Sequence, residues 1–210
     1  GADIEGQTIG LLGLGKLGPR VAGVAKAFGM KPIAWSQNLT PEKCAAVGVE
    51  YVSKEDLFRR ADFVTIHVQL SDRTRGLITA KELGLMKKTA CIINTSRGPL
   101  IDEKALADAI EAGQVGGAAL DVFDKEPTVD HRLQMLPQVV ATPHIAASTR
   151  EGQELVGMET MAALRDFLRD GVIRNAVNMP SVSAEEYARL KPYLTLGERL
   201  GAFLSQMNDG

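Results

Sequence analysis

Short apolar runs alternate with amphipathic stretches along most of the 210 residues. "TIGLLGL" opens the series, and Leu17, Val21, Ala25 and Phe28 then recur at three- to four-residue spacing, as on one face of a helix, before a second apolar run, "KPIAW". A weak helix around "TPEKCAAVG" precedes "VEYV". "SKEDLFRRA", with Ser53 and Asp56 at capping-box-like spacing, leads to "DFVTIHV". The alternation continues with "TAKELGLMKK" before "ACIINTS" and "DEKALADAIEAG", stopped by Gly113, before "GGAALDVF". A loop holding Pro127 and Pro137 then leads to "VVATPH". Strands apolar on both faces and separated by helices form a parallel sheet covered on both sides and joined by right-handed crossovers. The fold class expected is therefore α/β, doubly wound, with seven strands. One long helix is expected from Ser148 to about Asp170, followed by an extended connection and a boundary near Pro180, so that residues 1–180 form one domain and 181–210 a helical extension. In that extension Leu190, Tyr193, Leu194, Leu200, Phe203, Leu204 and Met207 share one side of a helix, with Pro192 near its start. An isolated amphipathic helix is only marginally stable, so this face is expected to pack on its own domain or on a second copy.

Composition narrows the function classes. A formal charge of −2 and no run of Lys and Arg give no electrostatic footprint for nucleic acid or an acidic membrane surface. No apolar stretch reaches the roughly 20 residues of a membrane span, and "GADIEGQTIG" has neither the basic nor the apolar region of a signal peptide. Cys44 and Cys91 lie in separate apolar segments without CxxC spacing, which argues against zinc or another metal and for buried thiols in a reduced, cytoplasmic protein.

The glycines at 13, 15 and 18 leave the first strand and enter the first helix, the context a dinucleotide-binding turn requires. Gly13 makes the tight turn, Gly15 permits close backbone approach, and Gly18 permits close packing. The amides of Lys16 and Leu17 would meet a pyrophosphate at the positive end of the helix dipole, where Pro19 removes no needed donor. The acidic residue that commonly bonds the adenine ribose at the end of the second strand is missing. Ser36, Gln37 and Asn38 stand there instead, so nothing repels a 2'-phosphate and no Arg binds one, leaving NAD and NADP both open. Trp35 reads as core packing or as a wall of the adenine pocket.

"GLGKLG", "NTSRGPLID", "GAALDVFDKEP" and "TPHIAAST", in this order, resemble the NAD-binding domain of the D-isomer-specific 2-hydroxyacid dehydrogenases. The resemblance implies a Rossmann-like fold, a nicotinamide cofactor and a small 2-hydroxy or 2-oxo acid substrate. It implies that Arg97 binds the substrate carboxylate and carbonyl, that His144 is the acid/base, and that Glu126 pairs with the imidazole. Moving a hydride at C2 requires a proton to leave or join the oxygen, and histidine titrates near neutrality. A guanidinium matches a carboxylate and stabilises charge on a carbonyl oxygen. Asp121 would bind the nicotinamide carboxamide. Thr95 and Ser96 would line the same pocket, Val68 would lie toward the adenosine, and Ala146 would place a methyl beside the nicotinamide. His67 reads as structural and His131 as solvated. Gln69 and Ala146 stand where the family commonly has proline and glycine.

From "ASTREGQELVG" onward the sequence is similar to D-3-phosphoglycerate dehydrogenases, making 3-phosphoglycerate the expected substrate and the tail the start of a regulatory region. "AWSQNLT" and "SRGPLID" look closer to broader-specificity 2-hydroxyacid dehydrogenases, such as glyoxylate or hydroxypyruvate reductases. Glu126 argues against formate dehydrogenases, which pair their histidine with Gln. A homodimer is expected, with a nucleotide-sensing scaffold of corepressor type as the alternative from another class. The resemblance also implies that much of a substrate-binding lid precedes the first glycine turn. The chain is therefore expected to behave as an excised domain that binds nucleotide and turns over slowly or not at all.

Overall fold

The computed structural model describes residues 3–174, 176 and 184–208. Seven strands form one parallel sheet: β1 (Thr8–Leu12), β2 (Lys31–Trp35), β3 (Glu50–Tyr51), β4 (Phe63–Ile66), β5 (Cys91–Asn94), β6 (Gly117–Leu120) and β7 (Val139–Ala141). Their order is β3-β2-β1-β4-β5-β6-β7, so the winding reverses between β1 and β4, the switch point at which open α/β sheets bind their ligands. Five helices separate the strands: α1 (Gly18–Ala27), α2 (Pro41–Ala45), α3 (Lys54–Arg60), α4 (Ala80–Leu83) and α5 (Glu103–Glu111). The expected α/β doubly wound, Rossmann-like fold is the one found.

Apolar side chains from the central strands set the core. Leu12, Ile33, Val64, Ile66, Ile92 and Leu120 pack with Leu57, Phe58, Leu106 and Ile110 from α3 and α5. Helix starts follow the local chemistry. Ser53 Oγ accepts the Asp56 amide at 3.1 Å, and the Thr79 amide donates to Glu82 Oε2 at 3.0 Å in a reciprocal capping box. Gly113, at φ +64°, follows α5 in the left-handed conformation that closes helices. A short 3-10 turn, Gly98–Leu100, was not legible in the apolar pattern.

The chain divides into two compact units, Gly1–Ala146 and Ala147–Gly210. The second unit contains the long helix α6 (Arg150–Asp170), capped by Thr149 and ended by Gly171 at φ +69°. Within that unit Asp166 pairs with Arg165 and Arg174. The boundary expected near Pro180 lies outside the described residues. The last helix, α7 (Ala184–Asn208), corrects one expectation: Pro192 lies inside it rather than near its start. A helix can continue through a proline at the loss of one backbone hydrogen bond, so the residue alone did not mark the beginning. Tyr193, Leu194, Leu200, Phe203, Leu204 and Met207 stand exposed on α7. No described helix is long and apolar enough to cross a membrane.

Candidate active site

Because all seven strands run the same way, the segments leaving β1, β4, β5, β6 and β7 emerge on one edge of the sheet. The glycine turn leaves β1. Gly13 has φ +101°, and its amide donates to the Trp35 carbonyl at 3.0 Å. A side chain at Gly13 would meet the His67 carbonyl oxygen at 2.8 Å, so the turn lies against the segment leaving β4 across the switch point. A side chain at Gly18 would meet the Gly13 carbonyl oxygen at 2.5 Å. Gly18 therefore permits the start of α1 to close on the turn itself. Gly15 differs: nothing lies within 4 Å of the position a Cβ would take. Its lack of a side chain answers no contact within the protein and leaves space beside the main chain.

Helix α1 begins without a side-chain cap and without an acidic residue in its first turn. Pro19 has no amide and the Arg20 amide donates to the Leu17 carbonyl at 3.0 Å, so the Gly18 amide is left for an anion, beside the backbone of Lys16 and the exposed Leu17. An uncapped helix start, an open Gly15 and a turn closed on the neighbouring strand fit the pyrophosphate of a dinucleotide. Ser36 follows β2, half-buried, and its carbonyl accepts the Leu39 amide at 3.1 Å. Trp35 packs against the core with the Lys54 ammonium 5.8 Å from its ring centroid. A cavity of about 400 Å³ connects the two halves of the edge, lined by Leu17, Val68, Thr95, Ser96 and Arg97 among others.

The turn after β5 is organised by Asn94, only 1% exposed. Its Oδ1 accepts the Ser96 amide at 3.0 Å and its Nδ2 donates to the Arg97 carbonyl at 2.9 Å. Ser96 Oγ donates to the Val68 carbonyl at 2.8 Å, tying this turn to the one after β4. A Cβ on Gly98 would run into the Phe123 carbonyl, so the segment after β5 abuts the segment after β6 backbone to backbone. That contact brings Arg97 toward Glu126. Asn94 and Gly98 were not among the expected site residues.

Glu126 Oε2 accepts from His144 Nδ1 at 2.6 Å, and Glu126 Oε1 accepts the Phe123 amide at 3.0 Å. The His144 bond, the Phe123 amide and the Arg97 charge together hold the Glu126 carboxyl below its ordinary range. An ionised carboxylate is an acceptor only, so Nδ1 carries the proton and Nε2 is left for a reacting group. Glu126 and His144 thus meet at this edge beside a cavity of about 940 Å³ that Phe123, Thr128 and His131 also line, while Arg97 lines the smaller cavity with its charge felt at Glu126.

Asp121, expected to bind a nicotinamide carboxamide, also has partners within the protein. Buried after β6, it accepts from the Thr142 hydroxyl at 2.6 Å, the Ile145 amide at 2.8 Å and the Ala146 amide at 2.9 Å. Burial alone would raise its carboxyl, but these donors and the nearby His144 hold it below the usual range. Its bonds within the protein go to the His144 loop, which the resemblance did not imply. Ala146, whose methyl was expected to crowd a nicotinamide, is exposed and joined to Asp121 through its amide. His67 is half-buried with Nε2 3.1 Å from Thr65 Oγ1, and burial lowers its pKa. His131 is exposed, its Nδ1 3.2 Å from Gln134 Oε1.

Comparison with known proteins gives three findings. The sequence signature of the D-isomer specific 2-hydroxyacid dehydrogenase NAD binding domain matches residues 1–146. A D-3-phosphoglycerate dehydrogenase from Synechocystis sp. is 44% identical over all 210 residues, which correspond to 38% of that protein. Among solved structures, a glyoxylate reductase from Paecilomyes thermophila is 39% identical with a TM-score of 0.78, over 85% of this chain and 54% of that one. The NAD-complexed form of a D-isomer specific 2-hydroxyacid dehydrogenase from Lactobacillus delbrueckii ssp. bulgaricus is 30% identical with a TM-score of 0.74, over 84% and 58%. The chain spans about two fifths of the length of the curated relatives it matches.

Proposed function

This chain belongs to the D-isomer specific 2-hydroxyacid dehydrogenase family and matches its NAD-binding domain; from that membership we propose that it is the catalytic cofactor domain of an enzyme oxidising D-3-phosphoglycerate. The observation that carries the reading is the 2.6 Å bond between His144 Nδ1 and Glu126, on the sheet edge that also holds Arg97 and the open glycine turn. Gly13, whose amide is taken by Trp35, would shape the turn, and the main-chain amides of Gly15, Lys16, Leu17 and Gly18 would hold the pyrophosphate. Ser36 lies toward the adenine ribose and Val68 toward the adenosine. Thr95, Ser96, Asp121 and Ala146 surround the nicotinamide, with Asp121 accepting from its carboxamide.

When bound, a nicotinamide would supply two-electron, hydride-level chemistry at C2 of the acid. His144 takes the proton of the substrate hydroxyl through Nε2 in oxidation and returns it in reduction. Glu126 fixes the imidazole tautomer and stabilises the ring once it is charged. Arg97 pairs with the substrate carboxylate and balances charge on the C2 oxygen. The phosphoglycerate dehydrogenase similarity over the whole chain supports 3-phosphoglycerate as substrate. The likeness to glyoxylate reductase supports a second reading, reduction of glyoxylate or hydroxypyruvate at the same residues. The reading includes a homodimer, for which the exposed apolar residues of α6 and α7 speak, working in a reducing cytoplasm that the two free cysteines fit.

Calorimetric titration with NADH and NADPH, followed by assays with 3-phosphoglycerate and glyoxylate in the enzyme that carries this domain, tests the proposal. His144→Ala should abolish turnover while leaving cofactor affinity within about twofold. NADH binding without turnover of either acid would instead favour the nucleotide-sensing scaffold, and no dinucleotide uptake at millimolar concentration would refute both.

A further inference from the structure

His144 is the one described non-glycine residue with a positive φ, 54°. That conformation is unfavourable for a histidine and persists only where the surroundings hold it. Burial does not hold it, since Pro143, His144, Ile145 and Ala146 are all exposed. The restraint comes from beneath. Asp121, 4% exposed, takes the Thr142 hydroxyl and the Ile145 amide on Oδ1 and the Ala146 amide on Oδ2. These three donors straddle His144, two residues before it and one and two residues after. A hydrogen bond to a charged acceptor is stronger than a neutral one, and here one carboxylate receives all three.

We propose that Asp121 and Thr142 are the positioning residues of His144, forming a carboxylate clamp that fixes the backbone on both sides of the imidazole and so aims it at Glu126. An ionised carboxylate offers about four acceptor sites. Three are occupied by the loop and one, on Oδ2, is left. A carboxamide donor at that site adds to the charge-assisted set around the same carboxylate, so that occupancy by a nicotinamide and alignment of the acid/base are coupled through a single side chain. This coupling rests on the dehydrogenase reading above; the clamp itself rests only on the three bonds and the φ of His144. Thr142 acquires a role that none of the sequence motifs suggested.

The test uses amide exchange and imidazole ¹⁵N spectra of the chain, with the amide of the fully buried Ile92 as the standard for global unfolding. Asp121→Asn keeps the shape but offers an amide group where one of the donors needs an acceptor. Exchange at Ile145 or Ala146 should quicken at least about tenfold while Ile92 stays protected. Thr142→Val should turn the single Nδ1-protonated signature of His144 into an average of tautomers, and Thr142→Ser, which restores the hydroxyl, should recover it. NADH should slow exchange at Ile145 and Ala146 in the native chain but not in Asp121→Asn. Unchanged exchange in Asp121→Asn, or an unchanged ring signature in Thr142→Val, overturns the clamp. NADH binding by calorimetry with no effect on the two amides overturns the coupling. If NADH does not bind, the dehydrogenase reading and the coupling fail together, while the exchange and ring measurements still decide the clamp.

Discussion

Glu82 allows an electrostatic contribution to be worked through from geometry to assay. It is 6% exposed, its Oε2 accepts the Thr79 amide at 3.0 Å and the Thr79 hydroxyl at 2.7 Å, and its Oε1 receives the Lys54 ammonium at 3.0 Å. Burial by itself would raise the carboxyl, but the Thr79 and Lys54 bonds prevail and take its pKa from 4.5 to about 2. Each pH unit of such a depression corresponds to about 1.36 kcal/mol, so ionised Glu82 stabilises the fold by at most roughly 3 kcal/mol. Glu82→Gln keeps an oxygen for Thr79 but turns donors toward the Lys54 ammonium. Neutral hydrogen bonds retain about half the strength of charged ones, so the expected loss at pH 7 is about 1.5 kcal/mol, or a fall in Tm of roughly 3–6 °C. The sign with pH follows from the depressed pKa: the contribution is complete above pH 4.5 and is lost as pH falls through about 2. Between pH 7 and pH 3 the native protein loses about 2 kcal/mol that Glu82→Gln does not, so urea unfolding of both should show the gap closing or slightly reversing at the lower pH. A gap of equal size at both, or one below about 0.3 kcal/mol at pH 7, would refute the reasoning, since neither fits an ion pair and capping box of this strength.

The glycines separate by what they are for. Gly15→Ala, with open space around its Cβ, should leave the unfolding free energy in urea within about 0.5 kcal/mol yet weaken NADH binding in calorimetry, whereas Gly18→Ala, aimed at a carbonyl oxygen 2.5 Å away, should lower stability by about 1–3 kcal/mol. Equal behaviour of the two would contradict the division. Gly98→Ala drives a methyl against the Phe123 backbone and should cost at least about 1–3 kcal/mol, while Gly23→Ala, inside α1 with no neighbour within 4 Å, should stabilise by up to about 1 kcal/mol, both read from thermal melts. Ser36→Asp places a charge at the end of β2 and should reduce NADPH affinity at least about tenfold while sparing NADH, measured by fluorescence titration.

What the sequence disclosed was what local pattern can carry. The run "ACIINTS" is apolar enough to be a buried strand wherever it folds, and Gly13, Gly15 and Gly18 declare a turn between strand and helix without reference to the rest of the chain. Arg97, Glu126 and His144 came from ordered motifs, and the sheet topology brings them to one edge. Residues whose meaning depends on a distant partner stayed silent. Gly98 looks like an ordinary turn glycine until Phe123 is seen against it, and Thr142 looks like a strand end until Asp121 accepts its hydroxyl. Asn94 reads as the last residue of an apolar strand, although its amide builds the turn that presents Arg97. Pro192 misled for a related reason. Its preference for the first turn of a helix is a tendency, and the residues before it continue the helix regardless.

Arg97, Glu126 and His144 are all exposed, so packing density cannot be what places them. Each instead leans on main-chain geometry fixed from the layer below. Asn94 shapes the segment after β5, Gly98 lets that segment touch the one after β6, and Asp121 holds the segment after β7. Asn94 and Asp121 are two of the five buried polar or charged residues described, and burying such groups is unfavourable unless their bonds are satisfied. An ordinary core would dispense with both, since apolar residues of the same shape can be nearly neutral replacements. Their placement directly beneath these three exposed side chains therefore follows from a requirement of position rather than of stability. A solvent-facing imidazole can be held to the precision proton transfer needs only if the backbone carrying it is fixed by bonds that water cannot easily exchange.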